Sequence, residues 1–323
     1  QFSVRFAGYR LQAGDPGRYP PLSHWTPDPM AALICGSLAF DTIMTFEGRF
    51  AEQILPDQLH ILNVSFLVPA LRRDFGGCAG NIAYSLKLLG GEPLPMATVG
   101  SDGAGYLERL RSLGISTEFV REVGDSFTAQ AMIMTDRDNN QITAFHPGAM
   151  MQAHTTQITA RPDIRLGIIS PDGRDAMLQH AEQFAAAQIP FVFDPGQGLP
   201  MFNGEELAHF VRLSRWVTVN DYEGRMLCDR TGWSLAELSR QVDGLVVTLG
   251  ADGCDVWTDG TATRVPPVVP AAVVDPTGCG DAWRGALLFG LEQGWDLARC
   301  AALGNQVGAL KIAQRGPQNY QLG

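Results

Sequence analysis

The sequence predicts an α/β protein with a mostly parallel central sheet, helices on both of its faces, and a small β lid. Three observations carry that expectation. Of the 323 residues, 45% are apolar and 18% charged, the balance of a globular chain rather than a disordered one. Beyond residue 160, short apolar runs alternate regularly with segments of helical period, the pattern of a parallel sheet. Before residue 160 that alternation is interrupted twice by strand-rich stretches, which read as insertions. At about 150 residues per domain the length suits two domains or one large α/β domain.

Residues 1–29 stand apart. They carry Gly14, Pro16, Gly17, Pro20, Pro21, Pro27 and Pro29 without a sustained period, and read as an N-terminal extension or arm. Residues 30–323 read as the folded domain. Ala32-Leu33-Ile34-Cys35, closed by Gly36, suits a buried strand. Ile82, Leu86 and Leu89 fall at i, i+4 and i+7 with Gly90 as a stop, which predicts a helix over 80–89. Pro93–Val99 reads as a strand, and Tyr106, Leu110 and Leu113 mark a helix. Phe127–Thr135 and Gln141–Phe145 are strands joined by the turn-forming Asp136-Arg137-Asp138-Asn139-Asn140. The lid is expected from strands within about 42–75 and 117–146.

After residue 160 the strands are Leu166–Ile169, Pro190–Phe193, Trp216–Val219 and Leu245–Leu249. Met177, Ala181, Phe184 and Ala185 mark one intervening helix and Glu205–Val211 another. Two helices, about 278–291 and 296–313, close the chain.

Composition excludes several classes of function. Lys+Arg 24 against Asp+Glu 34 gives a net charge of −10, with no basic run, so nucleic-acid binding through counterion release has little support. Phosphate recognition is not excluded, because backbone amides can hold an anion without a cationic side chain. No stretch reaches the roughly 18 consecutive apolar residues of a membrane helix. The six cysteines form no C-x-x-C pair, which favours free thiols in a reducing cytoplasm over disulfides or a zinc site. The six histidines offer no H-E-x-x-H. A dinucleotide dehydrogenase is disfavoured by the missing G-x-G-x-x-G with its acidic partner.

The sharpest chemical signal is Asp275-Pro276-Thr277-Gly278-Cys279-Gly280-Asp281-Ala282-Trp283-Arg284-Gly285. Its glycines lead straight into a helix, whose start leaves N–H groups free and carries partial positive charge. Glycine lets an anion approach that backbone closely. This is a phosphate cradle without a lysine, with the Asp281 carboxylate in the first turn beside it. Arg284, one turn further on, reads as solvated rather than as a nucleotide ligand.

That string closely resembles the second signature of the ribokinase (PfkB-type) family of sugar and nucleoside kinases. Gly76-Gly77-Cys78-Ala79-Gly80-Asn81, followed by a helix and Val99-Gly100-Ser101-Asp102, is similar to the first signature. Gly36-Ser37-Leu38-Ala39-Phe40-Asp41 resembles the first strand and its substrate-binding aspartate. The resemblance spans Met30 to about Gly316. It implies a Rossmann-like three-layer sandwich with a β lid.

The resemblance also implies roles. Asp281 is the expected base for the acceptor hydroxyl, and the amides of Gly278, Cys279, Gly280 and Asp281 the expected anion hole. Asp41, Gly77 and Asn81 are expected to hold vicinal sugar hydroxyls, which suits a carboxylate that accepts from two hydroxyls and an amide that both donates and accepts. Asn220-Asp221-Tyr222-Glu223 resembles the N-x-x-E motif that orders Mg²⁺, although Asn with Glu three residues on also spells a helix capping box. Thr248, Gly250 and Gly253 resemble the nucleotide-phosphate segment. Asp275 is expected beside a monovalent cation in family members that use K⁺. Alanine usually occupies the position of Cys279, so here a thiol lies near the phosphate site, at a helix start that favours thiolate.

The implied activity is ATP- and Mg²⁺-dependent phosphorylation of a primary hydroxyl on a ribose-containing small molecule. Segments Ile54–Phe75 and Asn139–Gly148 look more like bacterial adenosine-kinase-like nucleoside kinases than like ribokinase. A nucleoside needs an apolar wall for its base, for which Phe40, Phe75 and Phe145 are candidates. A ribokinase- or fructokinase-like sugar kinase is the alternative, and a catalytically silent nucleoside sensor the alternative of another class. A homodimer is left open.

Overall fold

The structure is a computed structural model and describes residues 31–54, 63–138 and 140–322. The expected arm over 1–29 and positions 55–62 of the expected lid lie outside the described residues. The chain runs through β1 (Ala31–Cys35), β2 (Ala39–Thr45), α1 (Phe50–Gln53), β3 (Ala70–Gly76), α2 (Cys78–Leu88), β4 (Glu92–Gly100) and α3 (Ala104–Ser112). It continues through β5 (Val120–Val123), β6 (Ala129–Thr135), β7 (Gln141–His146), β8 (Ile164–Ile169), α4 (Arg174–Ala186), β9 (Phe191–Phe193), α5 (Gly204–Leu213), β10 (Trp216–Asn220) and α6 (Asp221–Thr231). It ends with α7 (Leu235–Ser239), β11 (Gly244–Thr248), β12 (Cys254–Thr258), β13 (Thr261–Val265), α8 (Cys279–Glu292) and α9 (Leu297–Ile312).

A nine-stranded sheet has the order β13-β12-β11-β10-β9-β8-β1-β4-β5. Its strands pair in parallel except at the β11–β12–β13 edge. Successive side chains of a strand point to opposite faces, so Leu33 and Ile34 of β1 enter different cores. Ile34 packs with Ile82, Leu86, Trp283, Leu287 and Cys300 of α2, α8 and α9. Leu33 packs with Phe184, Leu207 and Phe210 of α4 and α5. Both residues are fully buried. Helix, sheet and helix therefore form three layers, the sandwich that the resemblance implies. Among the described residues no helix is long and apolar enough to cross a membrane.

A second sheet of order β3-β2-β6-β7 starts directly after the carboxyl end of β1. Its strands are antiparallel except for the β2–β6 pair. The expected lid region began at 117, but β5 pairs with β4 and extends the large sheet instead. The β12–β13 hairpin had no counterpart in the sequence reading. Asp259 and Gly260, at φ of 47° and 79°, make its two-residue turn, for which Asp-Gly is a strong signal.

Two glycines set the geometry of the site. A Cβ on Gly285 would lie 2.5 Å from the Ser85 Cβ and 3.0 Å from the Ile82 carbonyl oxygen, so its absence lets α8 lie against α2. Gly77 has φ of 85°, and a Cβ there would meet the Ser37 carbonyl oxygen at 2.5 Å. That close approach sets the start of α2 against the β1–β2 connection.

Candidate active site

The packing of α8 on α2 places Asp281 beside Asn81. Asn81 lies inside α2, whose N-cap is Gly77, so its side chain is spared for tertiary contact. Its Nδ2 donates to Asp281 Oδ2 at 2.8 Å. Its Oδ1 accepts from Gln318 Nε2 at 3.0 Å, and the same Gln318 amide donates to the Tyr106 hydroxyl at 2.7 Å. Tyr106 in turn donates to the Gly76 carbonyl at 2.6 Å. Gln318 is 1% exposed, so this network fixes Asn81 from the side away from Asp281. Burial pushes the Asp281 carboxyl above its usual range, against the pull of Arg284 and Asn81. A carboxylate moved towards neutrality is a stronger base.

Gly278 caps α8 in a left-handed conformation with φ of 76°. Gly280 and Asp281 occupy the first turn, where helix geometry leaves N–H groups without a carbonyl four residues back. The Cys279 amide differs from its three neighbours in closing a turn on the Pro276 carbonyl at 3.2 Å. The Cys279 thiol also departs from expectation. Burial pushes it up to about 11, and the nearby Asp275 and Asp281 carboxylates add to that against Lys311. The helix start therefore does not make it a thiolate.

Asp41 stands in a register row that crosses the whole second sheet. It pairs with Asp74 on β3 and Ala131 on β6, and Ala131 pairs with Phe145 on β7. Laterally paired residues share a face, so Asp41 and Phe145 face the same way, separated by a small side chain and about 10 Å at the usual strand spacing. Phe145 is 51% exposed. Ile43 and Ile133, two positions along, share that face. Phe40 and Phe75 form a neighbouring row and face the other way. There they cluster with Tyr106, at ring distances of 5.6 Å and 5.1 Å. Of the three expected aromatic candidates, Phe145 alone shares the Asp41 face, with Ile43 and Ile133 on the same side; Phe40 and Phe75 do not. Burial, the facing Asp74 and the Asp281 and Asp275 charges push Asp41 up to about 6. Gly76 has no room for a Cβ because Asp41 Oδ2 would lie 2.4 Å away.

The other half of the site gathers at the ends of β9, β10 and β11. Asn220 and Thr248 are register partners there. Asn220 Oδ1 accepts from the Glu223 amide at 2.7 Å while Glu223 Oε2 accepts from the Asn220 amide at 2.8 Å, a complete capping box on α6. Gly250 and Gly253 follow, with φ of 58° and 84°. A Cβ on Gly253 would press on the Val265 carbonyl at 2.3 Å, whereas Gly250 borders open space.

Arg284 is not solvated. It is 7% exposed, and its Nη2 donates to Asp194 Oδ1 at 2.5 Å while Nε lies against Oδ2. Its Nη2 is 3.9 Å from Glu223 Oε2. Burial pushes Asp194 up and Arg284 pulls it back. Removing one partner of such a buried pair would strand the other charge. Asp194 escaped the sequence reading; its only signal is an acid directly after a buried strand.

Asp275 is 8% exposed and laced in by backbone. Its Oδ1 accepts from the Thr277 amide and its Oδ2 from the Gly316 amide, both at 2.9 Å. Against burial, those bonds hold its carboxyl below the usual range. Its carbonyl oxygen accepts from Lys311 Nζ at 2.8 Å.

The sequence matches the pfkB family carbohydrate kinase over residues 48–322. The chain belongs to this family. PfkB proteins are phosphotransferases. A nucleoside kinase from Methanocaldococcus jannaschii is 29% identical over 294 residues, covering 90% of this chain and 93% of that protein. The structure of Burkholderia thailandensis nucleoside kinase in complex with inosine is 53% identical, with a TM-score of 0.80, covering 90% of this chain and 93% of that one. The same kinase in complex with ADP-inosine is 54% identical with a TM-score of 0.78, covering 90% and 91%. A mouse ribokinase is 26% identical over 332 residues, covering 95% of each.

A cleft of about 430 Å³ also opens at the opposite end of the PfkB sheet, bordered by Ile164, Arg165, Gln188, Pro190 and Arg215. These residues precede or begin β8, β9 and β10, whereas ligands of open α/β sheets bind at the carboxyl ends.

Proposed function

We propose that this PfkB enzyme transfers the γ-phosphoryl group of ATP to the 5′-hydroxyl of a ribonucleoside. The observation that carries the reading is the Asp41–Ala131–Phe145 row, which sets a carboxylate and an exposed aromatic ring on one face. A ribose diol suits the first and a base the second. The inosine and ADP-inosine complexes of the B. thailandensis relative support the same pair of substrates.

In this reading Asp281 takes the proton of the attacking hydroxyl, and Asn81 holds the carboxylate oxygen in place through the 2.8 Å bond. The amides of Gly278, Gly280 and Asp281 meet the charge that develops on the transferring group; such preorganised donors are what phosphoryl transfer requires. Asp41 accepts from the ribose hydroxyls, and Gly77 keeps the backbone beneath them close. Thr248, Gly250 and Gly253 line the nucleotide phosphates.

The donor set suits Mg²⁺. Among the described residues no group of three or more His, Cys, Asp and Glu forms a metal cage. Mg²⁺ needs none, since it keeps several waters and takes one or two carboxylates with the phosphates. Glu223, whose charge raises Asp281, and Asp194 are the oxygens within that neighbourhood. Glu223 and Asp194 would hold Mg²⁺ with its waters, and the ion would supply charge neutralisation to the phosphates. The six free thiols accord with a reducing cytoplasm.

The match to mouse ribokinase favours a sugar kinase as the second reading. ADP formation from ATP, measured with inosine, other ribonucleosides, ribose and fructose side by side, separates them. Higher kcat/KM for nucleosides supports the proposal. A free sugar that outruns every nucleoside replaces it with the sugar-kinase reading, and binding without turnover points to a silent sensor.

A further inference from the structure

Lys311 lies in the last turn of α9 and is 0% exposed. Its Nζ donates to two backbone carbonyls, Asp275 O at 2.8 Å and Gln314 O at 3.2 Å. Among the described residues no carboxylate oxygen lies close enough to form an ion pair with it. Burial disfavours the ammonium, and the Asp275 and Asp74 charges favour it only from beyond contact distance, so the groups that touch it must be strong dipoles. Here those dipoles are two backbone carbonyls, the class of oxygen ligand that a small monovalent cation also takes.

The residue type is informative. Lysine occurs only at 87 and 311, and the other basic residues are arginine. Lysine offers a compact point charge, which fits between two carbonyls; the planar fork of arginine does not. The ammonium also joins the segments that end at the anion hole. The Val274 and Asp275 amides donate to the Ile312 carbonyl at 2.8 Å and 3.1 Å, and the Gly316 amide reaches Asp275 Oδ2. The loop from 274 to 277 is thus tied to the end of α9 by backbone, with Lys311 at the junction. Three residues after Asp275 the chain enters the first turn of α8.

We infer that Lys311 is a positioning residue whose tethered ammonium takes the place of a diffusible monovalent cation beside Asp275, so that the anion hole is held in register without K⁺. A diffusible K⁺ at this point would have to share the Asp275 carbonyl with the fixed ammonium, which already donates to it at 2.8 Å and carries the same charge. The inference rests on phosphoryl transfer at Asp281 but not on the choice between nucleoside and sugar.

The test compares the full-length protein with Lys311→Met and Lys311→Gln in chloride salts of K⁺, NH₄⁺, Na⁺ and choline at equal ionic strength. Wild-type kcat should be the same in all four. In the variants, kcat in choline should fall about tenfold or more, as expected for a disturbed anion hole, while the KM of the acceptor changes little. K⁺ or NH₄⁺ should restore the variants, and should raise their melting temperature when wild type shows no such response. A wild-type enzyme that needs K⁺ overturns the inference. So does a folded variant whose loss no cation repairs in either rate or melting temperature. If both variants fail to fold, wild-type indifference decides alone. A protein that turns over no acceptor defeats the functional reading instead, and the melting temperatures still test the cation site.

Discussion

Asn81 Nδ2 and Asp281 Oδ2 meet at 2.8 Å across 200 positions of sequence, so the proposed base and the amide that holds it come from different signatures of the chain. The contact has a directional effect, since a donor to the carboxylate stabilises its ionised form. Asp281→Asn should therefore lower kcat by about 10²- to 10⁴-fold with nucleotide binding retained. Asn81→Ala should move the acidic limb of the kcat–pH profile upward, because Asp281 loses a partner that lowers its pKa. An Asn variant with near-normal turnover, or an Asn81→Ala limb that stays put, would refute these roles.

The two signatures were legible because their chemistry is local. Glycines at a helix start and an acid in its first turn are written in consecutive residues, as is the capping pair Asn220 and Glu223. Gln318 was not legible. It reaches Asn81 across 237 positions and no spacing announces it. The misassignment of Phe40 has a similar cause. Which face of a strand a residue occupies follows from register, and one position separates Phe40 from Asp41. The Asp259-Gly260 hairpin is different, since its two-residue turn is a local signal written in consecutive residues.

Asp41 gives a second test through pH. Its carboxyl is pushed up to about 6, first by burial and then by Asp74. Lowering the pH through that value adds a proton and removes one of the acceptors for the ribose diol. The preference for ribonucleosides over 2′-deoxynucleosides in kcat/KM should narrow as the pH falls below about 6, and Asp281 titration cancels from that ratio. Asp41→Asn should shrink the ratio and flatten its pH dependence. A ratio that is flat in the wild type would remove Asp41 from diol recognition.

Cys279 should be slow to alkylate. With its thiol pushed up to about 11, the reactive thiolate is scarce at neutral pH. Mass spectrometry after iodoacetamide treatment should find Cys279 labelled more slowly than an exposed free thiol, with the rate rising as the solution becomes alkaline. Rapid inactivation at neutral pH that disappears in Cys279→Ala would show an activated thiol instead.

Glu292 tests the fold away from the chemistry. It ends α8, is 6% exposed, and its Oε1 has no hydrogen-bond partner. Burial, with the Glu92 charge adding to it, pushes its carboxyl from 4.5 up to about 8. The folded protein thus keeps a proton that the unfolded chain releases near its ordinary value. By linkage, stability must decline as pH rises between those two values, being fully present below the lower and lost above the upper. Glutamine keeps the size and carries no charge at any pH. Glu292→Gln should melt near the wild-type temperature at about pH 5 and above it at about pH 8, reducing the slope between them. Asp172, also raised by burial to about 8, contributes with the same sign, so part of the slope should remain. If the two melting curves instead stay parallel across the range, Glu292 is ionised in the folded protein and its burial is relieved by a contact other than protonation.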